Sequence, residues 1–89
     1  MANNTYDTPT LDCIWPCKRG DTGGHVKTLQ SILKYKFNLY IGDIDGSFGE
    51  MTEDAVKKYQ KNDKMYVDGF CGGKTWYSII TKSATNNRE

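Results

Sequence analysis

Asp45-Gly46-Ser47-Phe48-Gly49-Glu50-Met51-Thr52 returns later in the chain as Asp68-Gly69-Phe70-Cys71-Gly72-Gly73-Lys74-Thr75. Asp, Gly, Gly and Thr stand at identical offsets in both copies, and each copy runs into a stretch with helical apolar spacing. An Asp-Gly pair makes a tight turn, because the Asp side chain accepts hydrogen bonds from nearby backbone N–H groups while Gly takes a positive φ without steric cost. The second Gly lets the chain swing into a helix, with Thr in its first turn. The unit therefore reads as turn then helix, used twice at a separation of roughly two dozen residues. Two copies are fewer than a stacked repeat array needs, so a small helical bundle is the expected architecture.

Outward from the repeat, three helices are expected. Val26, Leu29, Leu33 and Phe37 recur at steps of three and four, which places them on one face of a helix from about Gly24 to Lys36, with Asp21 or Thr22 available to cap its start. A second helix, about Glu50 to Asp63, puts Ala55, Val56 and Tyr59 on one stripe. Its acidic residues lie early and its lysines late, as the helix dipole favours, and Glu53–Lys57 and Asp54–Lys58 are spaced to pair on a solvated face. A third helix, about Gly73 to Thr81, turns Trp76, Ile79 and Ile80 inward. The stretch 38–44 is apolar enough to be extended, yet no second segment of similar quality pairs with it. Residues 1–12 form a polar arm, 13–82 the domain and 83–89 a polar tail.

Length and charge narrow the function. A chain of 89 residues holds one modest core, for which extra staples are useful. A formal net charge of +1 leaves no excess for neutralising phosphates, so nucleic acid is not an expected partner. No apolar run approaches the ~20 residues that span a bilayer. The opening Met1-Ala2-Asn3-Asn4-Thr5-Tyr6-Asp7 lacks the basic and apolar regions of a secretion signal. Export through the general pathway is then not expected of this chain unless a leader is missing from it.

Three blocks carry a family resemblance: Arg19-Gly20-Asp21-Thr22-Gly23-Gly24-His25-Val26-Lys27-Thr28-Leu29-Gln30-Ser31-Ile32-Leu33, the run from Asp45 through Gln60, and Val67 through Trp76. In this order they resemble the peptidoglycan-binding domain of the type 1 family over roughly residues 17 to 80. The resemblance implies an all-α, three-helix, non-catalytic module that attaches cell-wall hydrolases or other envelope proteins to peptidoglycan. Cys17 and Cys71 stand where the family generally has aliphatic or aromatic core residues, and Gly73 where Pro is common.

The motif residues have a structural and a binding reading. Asp45, Gly46, Gly49 and Thr52, with their counterparts in the second copy, are needed simply to make turns and start helices. Gln30 and Gln60 sit beside apolar helix positions, where their amides suit tying the turns down. Phe48 and Trp76 read as core. Tyr35, Tyr40, Tyr66 and Tyr77 fall off the inward stripes, and an exposed ring beside polar groups suits a glycan or a stem peptide. The expected ligand-binding set is Tyr35, Tyr40, Asp45, Gly46, Ser47 and Thr52, where the first turn meets helix one and the loop 37–44.

Three cysteines leave one thiol over in any pairing. Cys13 and Cys17 are spaced for a local loop. A long-range bridge to Cys71, foremost from Cys17, restricts the unfolded chain more and is favoured over it. Reduced thiols packing as small apolar groups are the remaining reading. A zinc site from the cysteines and the lone His25 lacks the spacing of a familiar zinc module, so no metal and no cofactor are expected. Nothing in the sequence sets a nucleophile beside a base, which argues against an enzyme, although a glycosidase needs only two well-placed carboxylates. The expected partner is peptidoglycan or a related wall polymer, with a hydrolase or virion protein alongside, in the cell envelope or a virus particle. The alternative is an adaptor of a phage or virus particle that uses the fold for protein docking.

Overall fold

A computed structural model describes residues 15–85, with side chains to residue 83. It contains three helices, α1 (Gly24–Tyr35), α2 (Glu50–Asn62) and α3 (Gly73–Thr85), and among the described residues no strand. The all-α expectation holds, and so do the three inward faces. Val26, Leu29 and Leu33 of α1, Ala55, Val56 and Tyr59 of α2, and Trp76 and Ile79 of α3 are all buried. Phe37, Leu39, Met65 and Ile80 pack against them from the edges. Phe37 meets Tyr59 edge to face, with ring centroids 5.0 Å apart. At roughly 1.5–3 kcal/mol for each large apolar side chain buried, this cluster is the main favourable contribution to folding.

The core does not close on helices alone. The segment before α1 runs across both repeated turns and is stitched to each. Cys17 exchanges a reciprocal pair of backbone hydrogen bonds with Cys71, at 3.1 and 2.9 Å. A few residues on, Gly20 N–H donates to the Phe48 carbonyl, Phe48 N–H to the Asp21 carbonyl, and Gly23 N–H to the Gly46 carbonyl. Backbone groups of the turns, which no helix can satisfy, are thereby paired. Trp76 adds a side-chain tie, its indole Nε1–H donating to the Trp15 carbonyl at 2.8 Å.

Local expectations fare unevenly. The N-cap of α1 is Gly23, not Asp21 or Thr22, and no side chain caps it. The Asp21 carboxylate turns back and accepts from the Lys18 N–H at 2.9 Å, closing the turn upstream. Neither Glu53–Lys57 nor Asp54–Lys58 forms. Glu53 instead reaches across to Arg19 at 3.1 Å, and the other ion pair among the described residues joins Lys82 to Asp63. Exposed i,i+4 pairs contribute only a few tenths of a kcal/mol, so a planar guanidinium within reach is enough to redirect one. Helix α3 continues to Thr85, beyond the expected Thr81. Ser83 Oγ donates to the Ile80 carbonyl, so the first residues of the expected tail 83–89 continue the helix, while residues 86–89 lie outside the described residues. The arm 1–12 and Cys13 lie outside the described residues.

The expected Cys17–Cys71 bridge is not formed: both are free thiols, fully buried. The pairing in space is nevertheless as expected, since the two residues face each other across the backbone ladder. Their thiols fill the core position as small apolar groups. The hydrogen bond with Cys17, and then burial, push the Cys71 thiol up, while the same bond lowers the Cys17 thiol.

Candidate functional site: two glutamine-clasped turns

Each repeated turn is gripped by a buried glutamine from the preceding helix, and the two grips use equivalent atoms. Gln30 on α1 accepts from the Gly46 N–H at 2.9 Å and offers its amide to Asp45 Oδ1, the Ser47 carbonyl and Thr52 Oγ1 at 3.0 to 3.2 Å. Gln60 on α2 accepts from the Gly69 N–H at 3.0 Å and offers its amide to Asp68 Oδ1, the Phe70 carbonyl and Thr75 Oγ1 at 2.9 to 3.2 Å. Both glutamines and both threonines are buried. The repeated Asp, Gly and Thr of the motif are thus the ligands of a repeated amide. Thr52 and Thr75 direct their hydroxyls to these amides, and no side chain caps the start of α2 at Gly49. In each turn the Asp carboxylate also takes the N–H two residues on, Ser47 in one and Phe70 in the other, both at 2.9 Å.

These bonds hold the Asp45 and Asp68 carboxyls below the usual carboxylate range, first through the Ser47 and Phe70 N–H groups and then through the glutamine amides. The sign follows. Both pKa values are depressed in the folded state, so the native protein binds fewer protons than the unfolded chain at mildly acidic pH. The stabilisation is present above the unfolded value, about pH 4, and is lost as pH falls through the lower folded values. A urea midpoint that is flat from pH 7 to 5 and drops steeply below about pH 4 is the expected profile. A midpoint unchanged down to pH 2 would show that the two carboxylates do not couple to folding.

Around the first turn lies a hollow of about 300 Å³ bordered by Tyr40, Asp43, Asp45, Ser47, Glu50 and Met51. It gathers Tyr40, Asp45, Ser47 and Thr52 from the expected set; Gly46 lines the adjoining face beside Lys27. Tyr35 is not among them: it ends α1, 71 % exposed, and borders neither hollow. Tyr40 is not the exposed ring the sequence suggested. It is 5 % exposed, its hydroxyl donating to the Asp43 carbonyl at 2.6 Å and accepting from the Gln30 amide at 3.2 Å. Helical periodicity has no say over a loop tyrosine, and a hydroxyl with two partners is what makes its burial tolerable.

Around the second turn the hollow is larger, about 530 Å³, and of different character. Met65, Tyr66 and Phe70 form its walls, Lys74 stands at its rim, and the Gln60–Asp68 clasp is its floor. Sequence reasoning singled out Tyr66 as a ring off the inward stripes but left it, with Met65, Phe70 and Lys74, outside the expected ligand-binding set. The signal lay in the alignment of the repeats, where Ser47 becomes Phe70 and Met51 becomes Lys74, making the second copy more aromatic and cationic. Among the described residues no cluster of His, Cys, Asp or Glu could hold a metal ion, and no helix is long and apolar enough to cross a membrane.

Comparison with known proteins bears on this geometry. Residues 22–79 match the family model of the peptidoglycan binding domain, PG_binding_1. The spore cortex-lytic enzyme of Bacillus cereus is 43% identical over 63 residues, which are 71% of this chain but 24% of that enzyme. The chain therefore spans about a quarter of the length of that curated relative. The crystal structure of the SleB N-terminal domain superposes with a TM-score of 0.73 at 37% identity, covering 76% of this chain and 92% of that one. A Burkholderia AP3 phage endolysin gives 0.67 at 33% identity, covering 74% of this chain and 25% of that one.

Proposed function

This chain belongs to the peptidoglycan-binding domain family, and from that premise we propose that it holds a protein or particle to the bacterial cell wall by binding peptidoglycan without cleaving it. The carrying observation is the family match over residues 22–79, which takes in both clasped turns and all three inward faces. The lack of catalysis is supported by what the carboxylates of the turns are doing. Asp45 and Asp68 accept backbone and amide hydrogen bonds, lie below the ordinary carboxylate range, and are poor general acids at neutral pH. A cell-envelope setting follows from the ligand, and a hydrolase or virion component is the cargo such a module serves.

Sedimentation with purified, protein-free insoluble walls tests the reading. The expected outcome is co-sedimentation that saturates, with no soluble reducing sugar or free amine released over hours. A folded chain left wholly in the supernatant at high wall excess would contradict binding. Release of product would contradict the non-catalytic assignment, and retention by virion proteins in place of walls would turn the reading to an adaptor.

A further inference from the structure

The two repeats are alike in their clasps and unlike in the hollows beside them. The first hollow is bordered by Asp43, Asp45 and Glu50 and by no lysine or arginine. The second has one carboxylate, Asp68, already engaged by the Gln60 amide and the Phe70 N–H. Its rim carries Lys74, which has no carboxylate partner among the described residues. Its walls are rings open to water: Tyr66 is 84 % exposed and Phe70 42 %. The Phe70 ring lies so close over the Gly72 backbone that an added Cβ there would meet it at 2.7 Å, so the absence of a side chain at residue 72 is what seats the ring. The groove is thus a seated aromatic wall with an adjacent free cation, where the first hollow is acidic.

Resting on the wall-binding reading, we propose that the second-turn groove, not the first-turn hollow, is the recognition subsite. It takes a peptide-bearing N-acetyl sugar of the wall polymer, whose apolar ring face stacks on Tyr66 and Phe70 while a carboxylate of the attached peptide meets Lys74. Aromatic rings pair with apolar faces of amphipathic ligands. A lysine ammonium attracts a carboxylate as a point charge without demanding one fixed geometry, which suits a flexible peptide. The same carboxylate is repelled by Asp43, Asp45 and Glu50 at the first hollow, where Lys27 lies only on the adjoining face of the turn.

The test uses the full chain on insoluble walls, with Lys74→Glu and Tyr66→Ala at the groove and Glu50→Gln at the first hollow, each with its melting temperature. Both groove positions are exposed, so the fold is retained. The expected result is retention weakened about tenfold by each groove variant, as for a contact residue, with Glu50→Gln binding like the parent. A second measurement follows backbone amide shifts on adding a soluble muramyl dipeptide, with its carboxylates free or amidated. Shifts centred on residues 65–75, larger for the free acid, are expected. Groove variants that bind walls like the parent, shifts confined to residues 40–52, or equal response to the amidated probe would overturn the assignment. A parent chain that does not bind walls at all would remove the underlying reading and this one with it, a result visible before any variant is made.

Discussion

Gln60→Leu is expected to lower the melting temperature of the domain by more than about 10 °C. The substitution keeps the volume and removes the amide that holds the second turn. The Asp68 and Gly69 N–H groups lose their shared acceptor, and Asp68 Oδ1, the Phe70 carbonyl and Thr75 Oγ1 lose their donor. A buried polar group stripped of its partner costs about 1–3 kcal/mol, and the turn has several, so the total is roughly 3–5 kcal/mol. Small domains have only about 5–15 kcal/mol in all. Thermal denaturation followed by circular dichroism reads this as a melting point lower by more than about 10 °C, at several degrees per kcal/mol for a domain of this size. A shift of a degree or two would mean that water replaces the amide and that the clasp is not what holds the turn.

Valine at the turn glycines is the second large effect. Gly46 and Gly69 sit at φ of 78° and 76°, in the left-handed region where a β-branched residue is a steric outlier. The surroundings of the two differ in what can give way. A Cβ on Gly69 meets the flexible side chains of Glu53 and Lys57 at 3.0 Å, whereas one on Gly46 meets the Gly23 carbonyl at 3.2 Å, in backbone already bonded to this turn. Valine is therefore expected to unfold the domain at residue 46 and to weaken it strongly at residue 69. Alanine should be milder and keep the order, costing at least about 1–2 kcal/mol from the backbone conformation alone. Melting points of the four variants check both the size and the ranking. Valine variants that melt like the parent would refute the turn conformation.

What was legible in the sequence follows from which interactions are periodic. Helix faces are written every three or four residues, so Val26, Leu29, Leu33, Val56, Tyr59, Trp76 and Ile79 were placed inward correctly. The repeated Asp, Gly and Thr announced two turns, and the glutamines beside apolar positions announced amides with structural work. Loop side chains carry no such period. Tyr40 was read as exposed because it lies off every helical stripe, yet it is sealed into the first turn by Asp43 and Gln30. The strap before α1 was invisible for the same reason: its hydrogen bonds are backbone to backbone and do not depend on side-chain identity. The contrast between the hollows was present in the aligned repeats, but which residues of a turn face outward is settled only once the clasp has used the others.

The central claim, a wall-binding module that performs no chemistry, is tested most directly by a retention isotherm on purified insoluble peptidoglycan, with soluble wall fragments as competitor. A single small groove predicts a saturable curve with Kd on the order of μM to mM, displaced by the fragments, with the polymer left undegraded. Retention that never saturates and resists competition, or that is accompanied by release of soluble sugar, would contradict it.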